Sequence, residues 1–249
     1  MANAVEHMLE PTLFIGDKDK VMAEFTLNLE IDNQSLNAIR AAQERIILAK
    51  PVGGGSPNVI WQSFDPFGLN TVTWTQEYGL YASDARIVNG ASILKISEQA
   101  PAEEAHYYSF TSGASFEGPY TDARVGPGQY AADNAMPHAL YPQLTFGLTQ
   151  AAVVNTAEVK SQPLNAVSVL PNRFTVFTPI TTVYVWLESN LVSSTVITQI
   201  TSNHTIVRYS GVQYTRDLVY EPNTGVFVPK KPSTHAAETD VTVVRPLIW

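Results

Sequence analysis

Residues 58–82 read NVIWQSFDPFGLNTVTWTQEYGLYA, and the fold class turns on them. Side chains alternate across an extended ribbon, so Val72, Trp74, Gln76, Tyr78 and Leu80 share one face while Thr71, Thr73, Thr75, Glu77, Gly79 and Tyr81 share the other. The first face is apolar except at Gln76. Residues 59–64 read as a preceding strand, and Asp65-Pro66-Phe67-Gly68-Leu69-Asn70 places Pro, Gly, Asp and Asn where the chain must reverse. The expectation is a β-hairpin carrying Trp61 and Trp74.

Upstream, residues 21–31 alternate most cleanly, with Val21, Ala23, Phe25, Leu27, Leu29 and Ile31 opposed to Met22, Glu24, Thr26, Asn28 and Glu30. This is a half-buried strand. Asp32 is placed to cap a short helix over residues 34–44, where Leu36 and Ile39 fall at helical spacing. Residues 45–52, RIILAKPV, read as a strand running into Gly53-Gly54-Gly55-Ser56-Pro57. Neither a helix nor a Lys-Ser/Thr pair follows the glycines, so they read as a turn rather than a phosphate loop.

Downstream, Asn89-Gly90 lies between the apolar runs 87–88 and 92–96 and signals a second hairpin. Strands are expected at 106–110, 144–154, 164–170, 173–177, 181–188, 194–201, 204–209, 212–220, 226–228 and 241–244. Residues 111–143 contain Gly113, Gly118, Pro119, Gly126, Pro127, Gly128, Pro137 and Pro142, and read as a long irregular loop. Pro229-Lys230-Lys231-Pro232-Ser233 reads as a linker, and Ile248-Trp249 as a docking tail. Residues 1–20 read as a loosely organised arm.

About 12–14 short strands and one helix indicate an all-β chain, an antiparallel β-sandwich or jelly roll forming one domain over residues 21–249. Tyr184-Val185-Trp186 followed by Ser194-Thr195-Val196 echoes Val59-Ile60-Trp61 followed by Asn70-Thr71-Val72. Two similarly built halves facing each other as sheets would produce that echo, and so would β composition alone.

The chain has 249 residues, 15 basic and 23 acidic, giving a formal charge of −8. That balance disfavours nucleic acid as a partner. There is no cysteine, which excludes disulfides and thiolate chemistry. Only 15% of residues are charged, fewer than usual, as in polar β surfaces and in proteins that associate with themselves. The start, MANAVEHMLEPTLFIGDKDK, lacks a basic end followed by an apolar core, so no secretory signal is expected. No apolar run is long enough for a transmembrane segment.

HExxH, GxSxG, a dinucleotide fingerprint and an EF-hand loop are all missing. His7, His106, His138, His204 and His235 are scattered, so neither a metal nor a cofactor is expected. Asp17 and Asp19 read as a solvated turn rather than a calcium clip. Asp65, Glu77 and Asp84 would serve as a carboxylate pair only if folding brought two of them together. Asn33-Gln34-Ser35 and Asn203-His204-Thr205 match the glycosylation pattern but read as coincidences without a secretory signal.

The aromatic midsection is the candidate site. Tyr107, Tyr108, Tyr120, Tyr130 and Tyr141 offer flat bodies with hydroxyls, and Arg124 and His138 lie among them, a set suited to stacking on a glycan or gripping a lipid headgroup. The competing reading is that these rings cover the open end of the sandwich. The leading functional expectation is a non-catalytic β-sandwich that binds such a ligand or assembles into a homo-oligomer. A membrane-active toxin inserting its N-terminal arm, and an enzyme with a cavity in the sandwich, are the alternatives.

Overall fold

Phe25, Leu27 and Leu29 are buried while Thr26 and Asn28 between them are half-exposed, so the alternation of the first ribbon is realised in three dimensions. The computed structural model describes residues 23–210, 214–230 and 240–246. Its elements begin with β1 (Glu24–Glu30), α1 (Asn33–Ala41), β2 (Arg45–Ala49), β3 (Ile60–Phe64), β4 (Leu69–Thr75), β5 (Gly79–Ser83) and β6 (Ser97–Gln99). Then come β7 (His106–Phe110), β8 (Phe116–Tyr120), β9 (Tyr130–Asn134), β10 (Leu144–Val154), β11 (Ala157–Pro163), β12 (Val167–Val169) and β13 (Phe174–Phe177). Last are β14 (Thr182–Glu188), β15 (His204–Arg208), β16 (Thr215–Glu221), β17 (Val226–Pro229) and β18 (Val241–Val244).

The chain is all-β with a single helix among the described residues. A nine-stranded sheet runs β17-β16-β1-β4-β10-β5-β6, with β11 and β12 also on β10; a five-stranded sheet runs β18-β15-β14-β2-β3; a four-stranded sheet runs β13-β9-β7-β8. Pairing is antiparallel except for β1 with β16 and β7 with β9. One core cluster takes Leu27 and Trp74 from the first sheet, Leu48 and Val185 from the second, and Phe110 and Phe177 from the third. Asp32 caps α1 as expected, accepting from the Gln34 and Ser35 backbone N–H groups at 2.9 and 3.0 Å.

The opening hairpin is corrected. Strands β3 and β4 belong to different sheets, and the turn between them is a crossing from one layer to the other. Asn70 holds the crossing: its side chain donates to the Leu29 and Phe67 carbonyls and accepts from the Phe67 N–H, docking the start of β4 on β1. β4 then pairs with β1 from Leu69 to Thr75. Trp61 and Trp74 consequently meet edge to face across the core, with centroids 5.5 Å apart. The ribbon 71–81 also divides, at exposed Gln76 and Glu77, into β4 and β5.

Further differences follow from tertiary pairing. Asn89-Gly90 does form a turn, closed by the Ala91 N–H on the Val88 carbonyl, but the chain beyond it pairs with residues 194–196 instead of forming a hairpin: the Gly90 N–H donates to the Val196 carbonyl and the Ile93 N–H to the Ser194 carbonyl. Residues 194–201 accordingly form isolated bridges instead of a strand. The long irregular loop at 111–143 is corrected too, since β8 and β9 lie within it. β8 occupies the sheet edge, a position that tolerates Pro119, and β9, YAADN, contains neither Gly nor Pro. The two-halves echo fails as well, because the Trp61 and Trp186 strands share one sheet. Trp186 is buried on that sheet's outer side with Ile47 and Ile197.

The expected N-terminal arm, the Asp17–Asp19 turn, His7, His235 and the Ile248-Trp249 tail lie outside the described residues. No helix among the described residues is long and apolar enough to cross a membrane.

Candidate ligand-binding face

The four-stranded sheet sorts the aromatic midsection by strand alternation. On β7, Tyr108 and Phe110 point into the core, so Tyr107 and Ser109 face outward. On β9, Tyr130 and Ala132 join the same core, leaving Ala131 and Asp133 on the outer face. Register then builds that face row by row. Tyr120, Tyr107, Ala131 and Val176 lie across one row, and Glu117, Ser109, Asp133 and Phe174 across the next.

The rings form a continuous strip. Tyr107 is 5.4 Å from Tyr120 and 5.3 Å from Phe174, centroid to centroid. Ala131 is fully buried yet belongs to no core cluster, so these side chains roof it. At the end of the strip the Arg124 guanidinium lies 3.9 Å over the Phe174 ring. Asp122 holds it there through two hydrogen bonds, of 2.8 and 2.7 Å, from Nε and a terminal nitrogen.

That fork draws the Asp122 carboxyl down to about 2, chiefly through its hydrogen bonds with the Arg124 side chain, and raises the Arg124 pKa in turn. The arginine therefore stays charged with one face on Phe174 and 61% of its side chain exposed. Ser109 Oγ donates to Asp133 Oδ2 at 3.3 Å, and Thr111 Oγ1 donates to Glu117 Oε1 at 3.1 Å. The face thus combines a flat apolar strip with a planar donor at one end and carboxylate acceptors alongside. Tyr120, 42% exposed, is its most open ring.

Gly118 sets the position of Tyr120. Its φ is +146°, and a Cβ there would stand 2.9 Å from the Tyr108 ring and 3.0 Å from the Tyr107 carbonyl. Only glycine lets the edge strand approach so closely.

Of the residues expected from sequence, Tyr107, Tyr120 and Arg124 come together. Tyr108 and Tyr130 do not belong to the face. The Tyr108 ring is buried in the core, its hydroxyl accepts from the Glu103 N–H at 3.1 Å, and burial raises its pKa. Tyr130 packs on Tyr78 at 5.5 Å and is pushed up to about 12, mainly by burial. His138 is exposed on the following loop, and Tyr141 packs partly buried against the core. Phe174, Asp122, Ser109 and Asp133 went unrecognised. For Phe174 the sequence signal is its alternation with Val176 on one face of a short apolar ribbon; the other three have none.

Other described concavities have approximate volumes of 530 Å3 between Arg40 and Phe67, 440 Å3 beside Trp74, and 210 Å3 beside Trp186. No histidine lines any of the three. Asp65 is paired with Arg45 rather than with a second carboxylate. Among the described residues no three His, Asp or Glu side chains gather closely enough to hold a metal ion. No protein-family model, curated protein or solved structure matches the chain.

Proposed function

We propose that the protein binds glycans, without a chemical step of its own, on the outer face of the four-stranded sheet. The observation that carries this reading is the strip Tyr120–Tyr107–Phe174, closed at one end by Arg124. A pyranose ring presents a flat patch of C–H groups edged by hydroxyls. Aromatic faces suit the patch, and arginine and carboxylate groups suit the hydroxyls.

The charge pattern favours a glycan over an anionic lipid headgroup. Asp122 and Asp133 act on the Arg124 charge, Glu117 lies further along the same face, and the chain's formal charge is −8. An array of neutral and acidic glycans, run beside vesicles of anionic lipid, tests the reading. Retention on a subset of glycans with no vesicle capture is expected. Silence across the array, or capture by vesicles alone, overturns it.

A further inference from the structure

Lys50 and Gln150 are the polar exceptions in two apolar series. On the first, Ile46 and Leu48 point into the core and Lys50 continues the alternation; on the second, Leu144, Phe146, Leu148, Gln150, Ala152 and Val154 do so. The two series belong to different sheets, so these side chains meet in the middle of the protein. Lys50 is 1% exposed and Gln150 also 1%.

Their contact is close and enclosed. Lys50 Nζ donates to Gln150 Oε1 at 2.6 Å, between the Trp61 and Trp74 rings at 4.7 and 4.6 Å. Gln150 Nε2 donates to the Thr75 carbonyl at 2.6 Å, the Trp61 indole N–H donates to the Gln150 backbone carbonyl at 3.0 Å, and the Tyr78 hydroxyl interacts with the Gln150 side chain. Thr75 and Tyr78 hold the side-chain amide in place against the amine, and Trp61 fixes the backbone that carries it. No carboxylate lies among these partners to form an ion pair with Lys50.

We propose that Lys50 and Gln150 are a self-modifying pair that joins the two sheets by an isopeptide bond. Oε1 is bonded to Cδ at about 1.2 Å, so with Nζ 2.6 Å from Oε1 the Nζ–Cδ separation is at most about 3.8 Å, near the attack range of about 3–3.5 Å. Burial lowers the lysine pKa to about 7, so a large share of the amine is neutral and nucleophilic near that pH. The Nζ lone pair adds to Cδ, forming the Nζ–Cδ bond, and the Cδ–Nε2 bond breaks. A proton released by Nζ passes to Nε2, with the Tyr78 hydroxyl beside the amide as a relay, and ammonia leaves. Nothing is oxidised or reduced, and no co-reactant is consumed. In a chain without cysteine the product is a covalent tie across the core.

Intact-mass spectrometry of the full chain, held folded above the lysine's pKa, tests this. The expected result is a mass lower by one ammonia, with a proteolytic digest containing one branched peptide that joins the Lys50 and Gln150 segments. Lys50→Met and Gln150→Met should each retain the mass expected for an unlinked chain. The wild-type measurement decides the matter even if both variants misfold. An unchanged mass with linear peptides at both positions overturns the proposal. So does an ammonia loss located at Asn89-Gly90, which would be a succinimide.

Discussion

At Gln62 the core contains a donor that no described residue satisfies: the side chain is 2% exposed and its Nε2 has no hydrogen-bond partner. A buried unpaired amide costs about 1–3 kcal/mol, so Gln62→Met, of similar length and fully apolar, is expected to raise stability by about 1 kcal/mol in urea unfolding. Lys50 makes a second residue-level prediction. As an amine its pKa falls from 10.5 unfolded to about 7 folded. Between those values the unfolded chain binds more protons, so stability rises with pH, at most by about 1.4 kcal/mol per unit. Tyr130, Tyr78, Tyr81 and Tyr209 have raised pKa values and act the other way once unfolded tyrosines ionise above pH about 10. The unlinked form should therefore be more stable at pH 9 than at pH 7, and the isopeptide form flat over that interval; urea melts of forms separated by mass measure both. The warning that Lys50 is unusual stood in RIILAK, where a cation continues the Ile46–Leu48 face. Nothing local indicated that its partner would be Gln150, a hundred positions away.

At the scale of elements, edge strand β8 carries the most open ring of the binding face, and its approach to β7 depends on Gly118. Gly118→Val is expected to displace Tyr120 and abolish glycan retention, and because the new side chain also presses on the buried Tyr108 ring, to lower stability by the roughly 1–3 kcal/mol typical of overpacking, read in urea unfolding. Gly147 is the contrasting case. A Cβ there would meet the Asn165 carbonyl at 2.0 Å between β5, β10 and the 164–166 segment, so Gly147→Ala should prevent normal folding, read as loss of soluble expression. Period-two alternation made β1, β4 and β14 legible, and the Asp32 cap made α1 legible. β8 and β9 were hidden because Gly118, Pro119 and the following Gly126-Pro127-Gly128 resemble loop chemistry. An edge position tolerates the first two, and β9 begins only after the others end.

At the scale of the molecule, three sheets share one core, and that arrangement was only partly legible. Local pattern determines which face of a ribbon is buried but not which ribbon lies beside it. The 65–70 turn therefore suggested a hairpin where the chain crosses between layers to bring Trp61 against Trp74. The same limit applies to the site. Tyr107, Tyr120 and Arg124 could be selected by residue type, whereas Phe174 and Asp133 join them only through the β9 register with β7 and β13. That register makes a sheet face, rather than a flexible loop, the proposed recognition surface. The most direct measurement is calorimetric titration of the strongest array glycan into wild type, Tyr120→Ala and His138→Ala. The account predicts that removing the Tyr120 ring weakens binding about tenfold, the equivalent of roughly 1.4 kcal/mol, and that His138→Ala binds like wild type. Equal affinity for wild type and Tyr120→Ala would contradict it.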